Sequence, residues 1–294
     1  MFRFIYRQRR RLLVGGLFTW LSLFVWMIQQ EQFAAVRADA ERFFWLSLVL
    51  ATLIFALVAM AVYAVFIAIF RRWRHLVELL PTYFFISISA APAVTALGLP
   101  DMVLPFAWFA GWMLFWTLTY GNGLDRFRAS LSWRSRRSTN LPLPPGAVWR
   151  KFETRADMAE DHWSPLVHSA RAIQDAPGRF EVEYRLGPSI FQHQVQTVLN
   201  SDPGRHFRYH FMGDVTAANR GLADGIFDVR VAPAEEGSRI DVEQTQEAML
   251  PRLALQMWFD DILGDQLDNL RARLAGRRDW SITGLVCGEI LGLS

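Results

Sequence analysis

Cysteine and lysine are almost absent from this sequence. Cys287 is the single cysteine among 294 residues, so the chain can form neither an intrachain disulfide nor a zinc site built from cysteines. Lys151 is the only lysine, and arginine therefore supplies nearly all of the positive charge. Because the formal net charge is only +3, the positions of the arginines carry more information than their number.

Apolar residues are abundant but unevenly distributed. They make up 52% of the chain and give a mean hydropathy of +0.14, which is high for a soluble protein and low for a fully embedded one. A helix needs ~20 apolar residues to cross a hydrocarbon core of roughly 30 Å. Four runs approach this length, so we predict an all-α membrane domain over residues 12–120, with spans at 12–29, 43–70, 76–99 and 102–120.

The arginines lie in three clusters on one side of these predicted spans. Positively charged loops resist translocation and stay in the cytoplasm. Both termini are therefore predicted to be cytoplasmic, in a multi-pass protein of the inner membrane. The clusters comprise a basic N-terminus (residues 1–11), the loop with Arg71, Arg72 and Arg74, and the residues that follow the fourth span, namely Arg126, Arg128, Arg134, Arg136 and Arg137.

The third cluster begins in a basic juxtamembrane linker, residues 121–132. Each basic side chain near an anionic leaflet contributes ~1 kcal/mol to membrane association. We therefore expect these five arginines to contact membrane lipids. A basic segment with interleaved aromatics is also typical of nucleic-acid binding, but its position directly after a membrane span favours lipid, and no nucleic-acid partner is expected.

Glu78 is an acidic residue inside the third predicted span. Carboxylates within a bilayer are costly and often functional, which makes Glu78 a candidate proton or ligand site. It also lies within one turn of the basic loop, where it can reach the interface or pair with Arg74 at i, i+4. The second interpretation is the simpler one.

From residue 133 onward, apolar residues alternate with polar ones at a period of two. This pattern predicts an antiparallel sheet with one apolar face, which the amphipathic segment 250–274 covers as one long helix. The inward positions predicted by the alternation are Phe180, Val182, Tyr184, Leu186, Phe191, His193, Val195, Thr197, Leu199, Phe207, Tyr209, Phe211, Phe227, Val229, Val231, Ile240 and Val242. Gln192, Gln194 and Gln196 are thereby predicted to face outward.

The order of these elements resembles a known family. A short strand, the helix "LPPGAVWRKF", the turn "HWSPLV", several antiparallel strands and the closing "LPRLALQMWFDDILGDQLDNLRARLAG" are similar to the START-like superfamily, also called SRPBCC or polyketide cyclase/dehydratase-like. The resemblance covers residues 133–278 and implies an α+β helix-grip domain. It also implies an apolar cavity, between the sheet and the C-terminal helix, for lipids, polyketides or other hydrophobic ligands.

Several polar residues follow the inward phase and are candidates for this pocket. His193, Gln244 and Gln246 are either hydrogen-bonded core residues or the polar end of a ligand site, because buried polar groups require partners. Tyr184, Tyr209, Phe227 and Trp258 either line the same cavity or pack in the core.

No metal or cofactor is expected. His206 and His210 would lie ~13 Å apart on a strand, too far to share an ion. The run "DDILGD" is interpreted as a solvated acidic helix face, with the basic segments as a possible counterpart, and His162 and His168 are predicted to be surface residues. The apolar tail, residues 279–294, is too short to span a membrane, and either lies on the membrane surface or docks on the domain.

These features favour binding over catalysis, since no nucleophile with an adjacent base is visible. The leading hypothesis is a membrane-tethered domain that binds a lipid, a quinone or a similar hydrophobic molecule. The first alternative is an accessory subunit of a membrane protein complex, with a filled core and no ligand. The second is a cyclase or dehydratase in which His193 and Tyr209 act as acid and base.

Overall fold

The computed structural model describes residues 1–33, 41–98, 100, 102–121, 131–187, 189–215 and 221–291. The chain divides into two compact units, Met1–Arg126 and Phe127–Ser294. Over these described residues the first unit is helical, and the second combines one antiparallel sheet with four α-helices.

The first unit contains helices α1 (Phe2–Arg7), α2 (Arg9–Gln29), α3 (Glu41–Ile69), α4 (Leu76–Ala96) and α5 (Leu104–Thr119). Among the described residues, three segments are long and apolar enough to cross a membrane, namely Arg9–Gln29, Phe43–Ile69 and Arg71–Ala96. The fourth predicted span corresponds to α5, an apolar helix of 16 residues. At 1.5 Å per residue α5 is about 24 Å long, which is less than the thickness of a typical hydrocarbon core.

Two adjacent glycines allow α2 to approach its neighbours closely. A Cβ on Gly15 would lie 2.4 Å from the carbonyl oxygen of Val77, and one on Gly16 would lie 2.5 Å from the side chain of Met60. Small residues at such positions are typical of helix packing in membranes, where close backbone contact replaces the hydrophobic driving force.

The Glu78 carboxylate is buried within the first unit and pairs with Arg11, which corrects the predicted pairing with Arg74. It is 4% exposed, and its carboxylate accepts hydrogen bonds from Arg11 and from the hydroxyl of Tyr120. The Arg11 guanidinium also donates to the Tyr120 hydroxyl over 3.1 Å. Helical spacing pointed to Arg74, whereas packing of α2 against α4 brings in a partner from a distant part of the sequence.

The second unit is built on a seven-stranded sheet in which every neighbouring pair is antiparallel. The spatial order is β1-β7-β6-β5-β4-β3-β2, so consecutive strands are neighbours from β2 to β7 and β1 closes the far edge. The strands are β1 (Leu131–Leu141), β2 (Val167–Ala172), β3 (Arg179–Arg185), β4 (Phe191–Asp202), β5 (His206–Val215), β6 (Gly221–Ala234) and β7 (Gly237–Met249).

The predicted covering helix is in fact two helices, α7 (Pro251–Asp260) and α8 (Ile262–Leu274). Asp261 separates them in a left-handed conformation with φ 48°, which a non-glycine residue rarely adopts. The helical spacing of apolar residues did not predict this break, because neither glycine nor proline occurs at position 261. Leu263, Leu267 and Leu270 of α8 are buried in the main core, together with Val148 and Phe152 of α6 (Pro145–Phe152).

The tail docks on the domain, one of the two placements that the sequence left open. Helix α9 (Ile282–Leu291) packs against α8. Its first turn is held by Asp265, whose carboxylate accepts from the backbone amides of Ile282 and Thr283 over 3.0 and 2.7 Å. Acceptors at a helix N-terminus satisfy amides that have no partner within the helix.

Candidate functional site

A cavity of about 190 Å³ lies in the second unit between the sheet and α8. Strands β3 to β7 form its floor, α8 supplies one side chain, and the turn before β2 closes one side. The lining residues are Trp163, Ser164, Leu166, Tyr184, Leu186, Gln192, Gln194, Tyr209, Phe211, Phe227, Gln244 and Gln266.

One wall of this cavity is a stack of nearly parallel aromatic rings. The ring of Phe227 lies 5.2 Å from that of Trp163 at an interplanar angle of 21°, and 5.2 Å from that of Tyr209 at 26°. Phe152 extends the stack behind Trp163, with ring centroids 5.5 Å apart. Such offset stacks stabilise a core beyond the area that they bury and present flat faces.

The Trp163 turn is fixed from two sides. Its backbone amide donates to the carbonyl of Lys151 over 2.9 Å, and its own carbonyl accepts from the Arg273 guanidinium on α8. The aromatic wall is therefore anchored to both α6 and α8, which limits the freedom of Trp163 to move away from the cavity.

A buried chain of hydrogen bonds supports Tyr184. Gln196 is fully buried, and its Nε2 donates to the Tyr184 hydroxyl over 2.9 Å, while its Oε1 accepts from the Thr154 hydroxyl over 2.7 Å. Because the Tyr184 oxygen already accepts a bond, its own proton is directed elsewhere. The Tyr184 hydroxyl can therefore donate a hydrogen bond to a molecule in the cavity.

Both cavity phenols remain protonated at neutral pH. Burial raises the pKa of Tyr184 to about 12, partly opposed by the hydrogen bond from Gln196. Burial also raises the pKa of Tyr209 well above its ordinary value, with a smaller contribution from the neighbouring Tyr184. The two hydroxyls can therefore donate hydrogen bonds but do not serve as bases near neutral pH.

Four glutamines supply most of the remaining polar surface. They come from β4, β7 and α8, and among the residues that the structure describes their carboxamides make no side-chain hydrogen bond. They are Gln192, Gln194, Gln244 and Gln266. None of the described lining residues is Asp, Glu, Lys, Arg or His, so the site is polar without carrying charge.

The predicted inward orientation of His193 is wrong. Its side chain is 61% exposed, and its Nε2 lies 3.6 Å from the Glu183 carboxylate on the outer face of β3. Strand β4 takes the opposite phase, so Gln192, Gln194 and Gln196 face inward. His193 and Tyr209 thus lie on opposite faces of the sheet, and the acid–base pair proposed for a cyclase or dehydratase is not formed.

The type of polar residue on each strand indicates which of its two faces points inward. On β5, β6 and β7 the outer face carries charged or ionisable side chains such as Arg208, Asp228 and Glu243, whereas the polar side chains of the inner face are uncharged, with glutamine at positions 244 and 246 of β7. Glutamines at every second position of "FQHQVQTVL" therefore indicated the inner face. Counting apolar residues alone favoured the other phase, because Phe191, Val195 and Leu199 were all assigned to the core.

The other predicted pocket residues divide into two groups. Tyr184, Tyr209, Phe227 and Gln244 lie on the cavity wall. Gln246 is half-buried outside the lining, and Trp258 is 43% exposed. Trp258 lies on α7, before the break at Asp261, and is not among the lining residues.

The predicted membrane-contact arginines also differ among themselves. Arg126 and Arg128 fall outside the described residues, while Arg134 and Arg136 are exposed on β1. Arg137 points to the inner face of β1, is 24% exposed and donates through Nε to Asp261 over 2.7 Å. It is part of the fold and not a free surface charge.

The acidic run "DDILGD" is buried, contrary to its interpretation as a solvated face. Asp260, Asp261 and Asp265 are 6%, 2% and 1% exposed. Asp261 pairs with Arg137, and burial raises the pKa of Asp265 to about 6 despite the hydrogen bonds from Thr283 and Ile282. Helix periodicity did not reveal these contacts because α9 and β1 cover the face from elsewhere in the chain.

The histidines take varied positions. His162, predicted at the surface, is 4% exposed, and burial lowers its pKa to about 3, so the imidazole is neutral. His168 is exposed as predicted. The side chains of His206 and His210 lie 3.2 and 2.7 Å from Asp228 and Asp224, on adjacent β6. Within the described part of the chain no three potential metal ligands cluster.

Comparisons with known proteins show a family to which this unit is similar. Residues 132–275 match the family described as polyketide cyclase/dehydrase and lipid transport. Among curated proteins no relative matches the chain.

Solved structures of similar chains cover about half of this protein. A Mesorhizobium loti protein is 16% identical, over 50% of this chain and 99% of the other, with a TM-score of 0.36. A Rhizobium leguminosarum protein is 11% identical over 51% and 98% (TM-score 0.39), and a Chromobacterium violaceum protein is 21% identical over 48% and 96% (TM-score 0.35). The match to the polyketide cyclase/dehydrase and lipid transport family is thus confined to residues 132–275, just under half of the chain, and it agrees with the resemblance of this segment to the START-like or SRPBCC superfamily.

Proposed function

We propose that this chain is a membrane-tethered binding protein whose START-like domain holds one hydrophobic molecule, such as a lipid or a quinone, in the cavity beneath α8. The observation that carries the proposal is the cavity itself. Its walls combine an aromatic stack with unpaired carboxamides, the combination of apolar surface and a few polar groups that is typical of ligand sites. A core filled only for stability would leave fewer polar groups without partners.

The membrane unit supports the tethering. Three of its helices are long and apolar enough to cross a bilayer, and residues 122–130 join this unit to the domain. Tethering raises the effective concentration of a pocket near lipid-soluble ligands, so modest affinity is sufficient. A family fold alone does not establish an activity, and the proposed role is binding and not catalysis.

The orientation depends on whether α5 crosses the membrane. Four spans, with basic clusters facing the cytoplasm of an inner membrane, put both termini on that side. Three spans would put the domain on the opposite side. A fluorescent protein that folds only in the cytoplasm, fused after Ser294, is expected to fluoresce, whereas the same reporter inserted after Pro100 should remain dark. Two dark reporters would show that α5 does not cross, and the reverse pattern would invert the orientation; either result overturns it.

Ligand binding is tested by native mass spectrometry of the full-length protein extracted in mild detergent. We expect a reproducible adduct of a hydrophobic molecule on the wild-type chain. Leu166→Trp, which enlarges a side chain on the cavity wall, should remove the adduct. Leu199→Trp makes the same change at an exposed position of β4 (51% exposed) and should leave it in place.

The same measurement examines the accessory-subunit hypothesis. A wild-type chain that carries no adduct but retains a stoichiometric protein partner would favour that alternative and contradict ligand binding. An adduct that survives Leu166→Trp unchanged would place the ligand outside the cavity.

A further inference from the structure

We propose that the cavity selects an uncharged, flat, oxygen-bearing ring as the inserted group of its ligand, an inference that rests on the proposed binding function. The cavity wall has three properties that act together: its described lining residues carry no formal charge, it offers amides without side-chain partners and a phenol that can donate, and it has a flat aromatic side. Each property excludes a different class of hydrophobic molecule.

The absence of charge excludes ionised headgroups. No Asp, Glu, Lys, Arg or His occurs among the described lining residues, and both phenols stay neutral. Moving an ionised carboxylate or phosphate from water into such a site is strongly unfavourable without a counter-charge. Fatty acids and anionic phospholipids therefore do not suit this wall, although the net charge of the chain is positive.

The unpaired amides exclude ligands without polar atoms. Gln196 shows what a structural glutamine looks like here, since both ends of its carboxamide are bonded, to Tyr184 and Thr154. Gln192, Gln194, Gln244 and Gln266 make no such side-chain bonds within the described ranges. Each amide offers donors and an acceptor, so carbonyl and hydroxyl oxygens on a ligand would match them. Tyr184 adds a donor of fixed direction.

The aromatic side favours a planar group. Trp163, Phe227 and Tyr209 are stacked within 26° of parallel, and a ring placed against them continues the stack. The cavity volume of about 190 Å³ is below the ~300–1,000 Å³ of pockets that enclose drug-sized ligands. It therefore accommodates one ring and not an entire lipid, and any long tail extends beyond it.

Three small probes with the same alkyl group separate these properties. Butylresorcinol has a flat ring with two hydroxyls, butylbenzene lacks the oxygens, and para-butylbenzoate carries a charge. Binding of each probe to the full-length protein is measured by equilibrium dialysis at neutral pH against a detergent blank, which corrects for partition into micelles. We expect butylresorcinol to bind at least tenfold more tightly than either of the other probes.

Matched variants assign the preference to the amides. Gln244→Leu keeps the approximate side-chain size and is expected to weaken butylresorcinol binding about fivefold, the effect of one lost hydrogen bond, without weakening that of butylbenzene. Gln246→Leu, two positions further along β7 and outside the cavity, should leave both affinities unchanged. Equal losses of butylresorcinol binding in the two variants would overturn the assignment.

The outcomes distinguish this inference from the function on which it rests. Equal binding of butylresorcinol and butylbenzene, or preferred binding of para-butylbenzoate, would refute selection for an uncharged oxygenated ring and leave hydrophobic-ligand binding standing. If none of the probes binds and the extracted protein carries no adduct, both proposals fail.

Discussion

Asp265 is predicted to make the docking of the C-terminal helix dependent on pH. Its side chain is 1% exposed and holds the first turn of α9 through the amides of Ile282 and Thr283 and the hydroxyl of Thr283. Burial, helped by the nearby Asp260, raises the pKa of this carboxyl from 3.8 to about 6, although the three hydrogen bonds oppose the rise. The docked state therefore binds the proton more tightly than an undocked, solvated carboxyl does.

The sign and size of the effect follow from proton linkage. Docking is most stable below pH ~4, where the carboxyl is protonated in both states. The added stability is lost as the pH rises from 3.8 through about 6, because within that window the undocked carboxyl ionises while the docked one retains its proton, and above it both are ionised. A pKa of about 6 against 3.8 corresponds to about 3 kcal/mol, or roughly a hundredfold change in the docking equilibrium.

Hydrogen exchange of the full-length protein measures this change at the relevant amides. After correction for intrinsic exchange rates, protection of Ile282 and Thr283 should fall about a hundredfold between pH ~4 and ~7. Asp265→Asn should abolish the pH dependence, whereas Glu289→Gln, an exposed acid on α9, should preserve it. Protection that is constant or rises with pH would refute the reasoning and mean that the hydrogen bonds outweigh burial.

Three substitutions test the architecture around the cavity by thermal unfolding of the full-length protein in detergent. Arg137→Met removes a guanidinium from the buried Asp261 carboxylate and should cost ~2 kcal/mol, less after Asp261→Asn is added. Gly225→Val should cost more than 1 kcal/mol, since its Cβ would lie 2.1 Å from a carbonyl oxygen and 2.7 Å from an aromatic ring. Tyr184→Phe leaves the buried Gln196 amide without its acceptor and should cost ~1–3 kcal/mol. An unchanged melting temperature of any one variant would contradict the argument for that variant.

The sheet was predictable because its alternation is regular over most strands. On β3 and β5, Val182, Tyr184, Phe207 and Tyr209 all face inward as the period of two predicts. The family resemblance rested on the order of elements, and the match of residues 132–275 agrees with it. Local periodicity and element order suffice where each strand has one clearly apolar face.

Contacts between distant segments account for what the sequence did not reveal. Arg11 and Glu78 are 67 residues apart, and Arg137 and Asp261 are 124 apart. No local rule pairs such residues, because i, i+4 spacing describes neighbours on one helix only. The buried Asp261 and Asp265 were interpreted as solvent-exposed for the same reason.

The wrong prediction for β4 shows which kind of residue distinguishes the inner face of the sheet from the outer face. The number of apolar residues in each phase of β4 predicted that Phe191, Val195 and Leu199 face the core and that the glutamines face solvent. Apolar side chains at outer positions of a sheet are nevertheless tolerated at little cost. A buried charge is far more costly than a buried amide, so the kind of polar residue discriminates between the faces better than the number of apolar ones. By that criterion Gln192, Gln194 and Gln244 indicate the cavity and His193 indicates the surface. The polar groups available to a ligand are therefore amides, which carry no charge and can be partly buried at moderate cost.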